Sequence, residues 1–260
     1  MKKFLILFYI FILQCEENFT PRISILTSIY KGEIFIKHFL QEITKQTIFN
    51  QCELILINAN SPQNEEKIIK PYLKKYKNII YKQLKQRVTI YSAWNEAIKL
   101  ARGEYLTNAN LDDRLEYTCY ETYAKTLDKY KDIDLVYSDG YQTNIINMAF
   151  APHPKIGTIY KPEFSKLQLR YNCLPSFNPM WRRNLHDKFG MFNEKFTIVG
   201  DWEFWIRIAK NDVKFTKVPG FYGLAYHNPM GLSTNSGTID LLDKEKSIVR
   251  LMHKDFFINS

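Results

Sequence analysis

The chain has 260 residues, of which 45% are hydrophobic and 24% are charged, with 10 Gly and 10 Pro. This composition excludes a disordered, collagen-like or linker-like chain, and the length fits one large domain. The net charge of +9 would suit nucleic acid or an anionic membrane surface, but the lysines are scattered. Because no RNA-binding motif accompanies them, we expect no nucleic-acid partner and leave membrane-surface association open.

Residues 1–15 differ from the rest of the chain. Two lysines precede ten uninterrupted apolar residues, Phe4–Leu13, and a polar exit follows. A bilayer-spanning helix needs about 20 apolar residues, so this run is too short to cross a membrane. Its layout is that of a signal peptide, with a lipidated Cys15 or a first buried element as alternatives. A signal would predict the secretory pathway, the periplasm or a membrane-associated location; otherwise we expect the cytoplasm.

From residue 22 onwards, short β-type runs alternate with helical stretches. The predicted strands are 23–29, 52–57, 79–81, 104–107 and 134–137, and the predicted helices are 33–47, 65–76, 90–101 and 115–130. Strands separated by helices of about 10–15 residues favour parallel pairing and an α/β sandwich. Ligands of such sheets bind beyond the carboxyl ends of the strands, so the polar residues that follow each strand are candidates for a site.

After about residue 140 the alternation breaks, and five prolines fall between residues 152 and 179. A helix over 201–211, strands over 214–218 and 221–226, and a terminal helix near 241–257 are predicted beyond them. No linker separates the two parts of the chain. We therefore expect a single domain over 21–260 with an elaborated second half.

Adjacent acidic residues follow the fourth predicted strand, in the segment Asn108–Asp113. Carboxylates as close as Asp112 and Asp113 repel each other unless a cation lies between them. Mg²⁺ and Mn²⁺ prefer oxygen ligands and often bind between carboxylates and substrate phosphates. The alternative is that one of the two caps the helix predicted from residue 115.

Four segments, 23–30, 54–61, 91–113 and 200–207, together resemble the inverting family 2 glycosyltransferases. The resemblance runs from about residue 21 to residue 227. It implies the GT-A fold, a Rossmann-like α/β/α sandwich with a mostly parallel central sheet. Residues 21–140 would form the nucleotide-sugar-binding half and 141–260 the acceptor-binding half. The implied activity is metal-dependent, inverting transfer of a sugar from a nucleotide-sugar donor to a hydroxyl of a glycan, lipid or protein acceptor.

The resemblance also implies roles for individual residues. The donor would be bound by Thr27, Tyr30, Asn58, Arg87, Tyr91, Asn95, Asn110 and Asp112. Mn²⁺ or Mg²⁺ would be held by Asp112, Asp113 and His227, and the acceptor would contact Trp181 and Trp202. Asp201 falls on the family's catalytic base, which takes the proton of the acceptor hydroxyl.

Three positions depart from the family pattern. Asn110 replaces the first Asp of Asp-x-Asp, Asn58 replaces an Asp of the base pocket, and Gly200 stands where Glu is common. Asn110 removes a charge from the metal site, and the amide of Asn58 can donate as well as accept hydrogen bonds, so we assume no particular donor base. These departures leave open a non-catalytic nucleotide-sugar or glycan-binding relative.

Simpler interpretations of single residues also remain. Asp201 suits the first turn of a helix, where an acid complements the helix dipole. Trp181 is equally compatible with the core, and His227 with a loop.

Overall fold

The computed structural model describes residues 19–150, 157–175 and 178–258. The segment for which a signal peptide is predicted lies outside these residues. Within the described ranges, no helix combines the length and the apolar character needed to span a bilayer.

Within the part of the chain that the structure describes, nine strands form one sheet. They are β1 (Ile23–Ile29), β2 (Cys52–Asn58), β3 (Ile79–Gln83), β4 (Tyr105–Asn108), β5 (Arg114–Leu115), β6 (Leu135–Thr143), β7 (Gly157–Ile159), β8 (Met180–Arg182) and β9 (Phe215–Tyr226). The first four lie where the alternating pattern predicts them. The two strands predicted over 214–218 and 221–226 form the single strand β9, which continues through Gly220 at a φ of +120°.

The helices flank this sheet. They are α1 (Glu33–Ile43), α2 (Glu65–Lys75), α3 (Ile90–Leu100), α4 (Cys119–Lys129), α5 (Lys166–Tyr171), α6 (Asn184–Phe189), α7 (Gly200–Ala209), α8 (Ile239–Met252) and α9 (Lys254–Ile258). The helix predicted from residue 115 begins at Cys119, because residues 114–115 pair with β9 instead. The predicted terminal helix is divided into α8 and α9 at His253.

The strand order is β3-β2-β1-β4-β8-β6-β9-β5, and β7 pairs with β6. The sheet is parallel from β3 to β4, as expected for a chain that alternates strands and helices. Beyond β4 it is mixed, since β8 runs antiparallel to both β4 and β6. Two reversals restore the original direction, so β6 and β9 run the same way as β1 and β4. The carboxyl ends of β1, β2, β4, β6 and β9 therefore meet at one edge.

Both faces of the sheet are covered, which makes the molecule an α/β/α sandwich. Ile25 and Leu54 point to the face packed by α1, α2 and α4, whereas Leu26 and Ile55 point to the face packed by α3 and α7. Because alternate residues of a strand face opposite sides, a strand buried on both sides is apolar almost throughout. The fold class predicted from the sequence is confirmed, with a mixed rather than uniformly parallel second half.

Candidate active site

A buried carboxylate fixes the loops that follow β1 and β2. Oε1 of Glu65 accepts hydrogen bonds from the Gly32 N–H at 2.8 Å and from the Ser61 hydroxyl at 2.7 Å. The Ser61 hydroxyl oxygen in turn accepts from the Lys31 N–H at 2.9 Å. Lys31 has a φ of +52°, which costs a non-glycine residue on the order of 1 kcal/mol. The network holds that strained turn at the edge where ligands of the sheet would bind.

Tyr30 and Arg87 come together beside this turn. The guanidinium carbon of Arg87 lies 4.4 Å from the centre of the Tyr30 ring, a cation–π distance. Tyr30 is partly buried and Arg87 is exposed. Their contact leaves a cationic, aromatic surface at the end of β1 that an anionic, planar ligand can reach.

The turn after β4 holds the paired acids. Oδ2 of Asp113 accepts from the Asn110 amide at 3.0 Å, and Oδ1 accepts from the Tyr226 N–H at 3.2 Å. Burial, and then the neighbouring charge of Asp112, raise the pKa of Asp113 to about 7. The two acids therefore lie in a setting that disfavours a second negative charge unless a cation is bound.

The end of β9 contributes a residue that the sequence interpretation missed. The Asn228 amide donates to Oδ2 of Asp112 at 3.0 Å, across 116 positions of sequence. Its neighbour His227, predicted as a metal ligand, is exposed and has its Nδ1 3.2 Å from the Gln142 amide nitrogen. No local sequence pattern could have placed Asn228 at this edge, because the contact depends on the pairing of β5 with the end of β9.

The metal site predicted from sequence is only partly assembled. No group of three or more His, Cys, Asp or Glu side chains in residues 19–150, 157–175 and 178–258 is arranged to hold a metal ion. The predicted set of Asp112, Asp113 and His227 is therefore not preformed. The donor set that remains, two adjacent carboxyl groups, fits a divalent cation that takes its other oxygens from a phosphate ligand and water.

Asp201 lies in the first turn of α7, in a different setting from the paired acids. Burial raises its pKa, and hydrogen bonds from the Trp202 N–H, the Tyr91 phenol and the Cys173 thiol partly offset that rise. The phenol lies 3.0 Å from Oδ1, and the thiol sulfur lies 3.6 Å from Oδ2. A partly buried carboxyl group with a raised pKa is suited to accept a proton near neutral pH.

Two residues near Asp201, Lys161 and Cys173, were not predicted from the sequence. The Asp201 carboxylate is close enough to raise the pKa of the Lys161 ammonium, although burial lowers it overall. The Lys161 N–H donates to Oδ1 of Asp139 at 2.7 Å, and Lys217 pairs with Oδ2 of Asp139 at 2.9 Å. Residues 157–175 lack a regular hydrophobic period, which is why the sequence did not place Lys161 or Cys173 here.

Two of the side chains predicted to bind the donor lie in the interior. Thr27 is 0% exposed within β1, and its hydroxyl has no partner among the described residues. Asn58 is 3% exposed; its oxygen accepts from the Ser61 N–H and its nitrogen donates to the Tyr81 hydroxyl. Both side chains are buried in this structure, and their role in donor binding stays a prediction.

Tyr91 and Asn95 of α3 are likewise buried. Tyr91 is 3% exposed and contacts Asp201. The amide of Asn95 donates to the Phe192 carbonyl and to Glu194, and its oxygen accepts from the Phe192 N–H. Both residues therefore anchor the segment that leads into α7.

The two tryptophans predicted to contact the acceptor are core residues. Trp181 is 0% exposed, packs against Trp205 and donates from its indole N–H to Nε2 of His186 at 3.0 Å. Trp202 is 4% exposed and donates to the Leu169 carbonyl at 2.7 Å. The core alternative for Trp181 is the correct one, and the same holds for Trp202.

Comparison with known proteins shows the family to which the chain is similar. Residues 24–190 match the model of glycosyl transferase family 2. The minor teichoic acid biosynthesis protein GgaB of Bacillus subtilis is 34% identical over 123 residues, 46% of this chain and 14% of GgaB. An uncharacterized glycosyltransferase of Methanocaldococcus jannaschii is 28% identical over 213 residues, 80% of this chain and 71% of that protein.

Solved structures share the fold. S. aureus TarS 1–349 in complex with UDP-GlcNAc superposes with a TM-score of 0.70 at 18% identity, covering 88% of this chain and 66% of that one. The mannosyltransferase PcManGT from Pyrobaculum calidifontis, in complex with GDP-Man and Mn²⁺, gives a TM-score of 0.60 at 14% identity, covering 81% and 58%. The family match spans more than half of the chain, and the overall fold is similar to that of TarS. The chain spans only part of the length of GgaB, TarS and PcManGT. The chain therefore belongs to glycosyl transferase family 2 and has the GT-A fold.

Proposed function

We propose that the chain is a metal-dependent, inverting glycosyltransferase that moves a sugar from a nucleotide-sugar donor to a hydroxyl group of a glycan, lipid or protein. The observation that carries this proposal is the presence of two different carboxyl centres. Asp112 and Asp113 are adjacent and crowded by like charge, whereas Asp201 is a single acid surrounded by hydrogen-bond donors. The pair of Asp112 and Asp113 is suited to bind a cation, and Asp201 is suited to accept a proton.

The donor is proposed to bind at the carboxyl ends of β1 and β4, in the half formed by residues 21–140. Tyr30 and Arg87 offer stacking and positive charge there, and Asp112 and Asp113 offer oxygens for Mn²⁺ or Mg²⁺. TarS was solved in complex with UDP-GlcNAc, and PcManGT in complex with GDP-Man and Mn²⁺, which supports a nucleoside diphosphate sugar as the donor class. A divalent cation bound at this turn would neutralise negative charge on the diphosphate.

The acceptor is proposed to bind in the half formed by residues 141–260, beside Asp201. The acceptor oxygen attacks the anomeric carbon from the face opposite the diphosphate, so a new carbon–oxygen bond forms as the bond to the diphosphate breaks. The hydroxyl proton passes to Asp201, and the bond electrons leave with the diphosphate. Such base assistance is typically worth about 10²–10⁴-fold in rate.

The experiment that tests this proposal is thermal stabilisation of the purified protein by UDP, GDP, dTDP and CMP, each with and without Mn²⁺. A ligand present at 100 times its dissociation constant adds about 2.7 kcal/mol to the free energy of unfolding. We expect one nucleoside diphosphate to stabilise the protein, and only when Mn²⁺ is present. A response to no pair would instead favour a glycan-binding relative that has lost turnover.

A further inference from the structure

Tyr91 is the one large side chain of α3 that reaches the start of α7 with its polar end. Its phenol oxygen lies 2.6 Å from the Ile198 carbonyl oxygen and 3.0 Å from Oδ1 of Asp201, and its hydroxyl can donate to either. The ring is held by edge contact with Trp94, at 5.4 Å between centres, and by Phe192 at 6.0 Å. The phenol therefore has a fixed position beside the carboxylate.

Gly200 is what lets the ring lie there. A Cβ atom at position 200 would lie 2.7–2.9 Å from three carbons of the Tyr91 ring. Carbon atoms in contact are normally at least about 3.5 Å apart, so any side chain at this position would displace the ring. The glycine that departs from the family pattern and the tyrosine that contacts Asp201 therefore belong to one arrangement.

We propose that Tyr91 is a positioning residue for Asp201, and that Gly200 is present because the Tyr91 ring takes the space of a side chain at that position. The proposal rests on the proposed role of Asp201 as the base. The phenol would orient the carboxylate through Oδ1. The acidic neighbour that is common in the family would be replaced by a neutral hydrogen-bond donor from α3.

The two oxygens of Asp201 have unequal partners. Oδ1 faces the phenol, a good donor, whereas Oδ2 faces the Cys173 thiol at 3.6 Å, which is a weak one. Oδ2 therefore has the weaker of the two side-chain donors, and we expect it to receive the acceptor proton. When it does, Tyr91 can still donate to the Ile198 carbonyl, so its ring need not move during turnover.

The other titratable groups around Asp201 come from neighbouring elements. The Cys173 thiol follows α5, and the Lys161 ammonium precedes α5. Glu245 of α8 does not bond to Asp201 but accepts from the N–H groups of residues 197–199, just before α7. Unlike these groups, the Tyr91 hydroxyl can be removed by a substitution, Tyr91→Phe, that leaves the size of the side chain nearly unchanged.

The test is the titration of the Asp201 carboxyl carbon by ¹³C NMR in protein labelled at aspartate, without substrate. The resonance is assigned as the one missing from Asp201→Asn. A hydrogen bond to a charged carboxylate is stronger than one to its neutral form, so removing it favours protonation. In Tyr91→Phe we expect the midpoint to rise by about one pH unit.

Tyr105→Phe is the matched control, because Tyr105 is also a buried phenol that donates to an aspartate, Oδ1 of Asp128, at 2.7 Å. It should leave the Asp201 midpoint unchanged. An unchanged midpoint in folded Tyr91→Phe, or an equal rise in Tyr105→Phe, would overturn the proposal.

Gly200→Ala provides a second, independent variant. It should raise the Asp201 midpoint as Tyr91→Phe does, and the double variant should raise it no further, because both changes remove the same contact. Additive shifts would show that the glycine acts by another route and would refute the coupling. Failure of the proposed function is distinguishable: there, Asp201→Asn keeps wild-type transfer whatever the titration shows.

Discussion

The turn after β4 and the start of α7 both carry partly buried acids, but they surround them differently. Asp113 has a second carboxyl group as its neighbour, and burial with that like charge raises its pKa to about 7. Asp201 has a phenol, a thiol and backbone N–H groups as neighbours. The first environment favours binding of an external cation, whereas the second already stabilises a single negative charge through hydrogen bonds to both carboxylate oxygens.

The difference shows that two sites of similar residue type can be separated by their partners rather than by their sequence motifs. A cation site is incomplete without its ligand, so its affinity depends on metal and nucleotide together. A proton-accepting site has to be complete before the substrate arrives, because its geometry sets the rate. Substitutions at the two centres should therefore fail in different assays.

The largest effect is expected at Asp201. Asp201→Asn should lower the transfer rate by about 10²–10⁴-fold, because an amide cannot take the acceptor proton. Stabilisation by nucleotide and Mn²⁺ should be unchanged. The measurement is product formation with the donor found by thermal stabilisation. Asp240→Asn, at the exposed start of α8, is the control, and transfer at the wild-type rate by Asp201→Asn would contradict the assignment.

Asp112→Asn should show its defect in nucleotide binding, the assay in which Asp201→Asn is expected to resemble the wild type. Loss of this carboxylate should weaken Mn²⁺-dependent nucleotide binding by more than the 10–100-fold typical of residues that only support a metal ligand. Asn228→Ala, which removes the amide bonded to Asp112, should fall within that range. Titration calorimetry with nucleotide and Mn²⁺ measures both. Equal binding by Asp112→Asn and the wild type would place the metal elsewhere.

His186 lies outside both centres, and its titration should make the free energy of unfolding depend on pH with a slope opposite to that of Asp201. Burial lowers the pKa of His186 to about 4, against about 6.5 in an unfolded chain. Between these values the unfolded chain binds a proton that the folded chain does not. The free energy of unfolding should therefore fall by about 3 kcal/mol at most as the pH falls from 6.5 to 4.

Asp201, whose pKa is raised, contributes with the opposite slope, since its stability contribution falls as the pH rises. Urea unfolding of His186→Gln across this window should show most of the acid sensitivity removed. The glutamine can still accept from the Trp181 indole. The same slope in His186→Gln and the wild type would assign the acid sensitivity to other groups.

The smallest effect is expected at the donor edge. Arg87→Ala should weaken nucleotide binding by several-fold, because an exposed ion pair between this guanidinium and a diphosphate would be worth up to about 1 kcal/mol. The free energy of unfolding should fall by no more than about 1 kcal/mol, the worth of the exposed cation–π contact with Tyr30. Lys85→Ala, an exposed cation two residues away, is the control, and equal losses in both variants would indicate a general effect of charge.

The sequence predicted the first half of the fold well, because buried parallel strands and amphipathic helices each leave a strong pattern. β1, β2 and α3 lie within one or two residues of their expected limits. It also led to the family that the comparisons show. Asp112, Asp113 and Asp201 lie where they can act, and their roles stay predictions.

The contacts between distant segments could not be predicted in the same way. Asn228 reaches Asp112 because β5, which follows the two acids, pairs with the end of β9, and nothing in the local pattern encodes this pairing. Trp181 was predicted to contact the acceptor. Its burial results from packing against His186 and Trp205, and the sequence alone does not reveal these partners. Tyr91 was predicted to bind the donor from the family resemblance. The side of α3 on which its ring lies is set by packing, which its position after β3 does not reveal.

Glu245 has a consequence for anyone who recombines members of this family. The family match ends at residue 190, yet the carboxylate that secures the amides of residues 197–199 comes from α8, some 46–48 positions later in the chain. A chimera whose junction falls between these segments would combine a loop from one parent with a helix from another. Such an exchange should preserve the reaction only when residues 197–201 and Glu245 are inherited from the same parent.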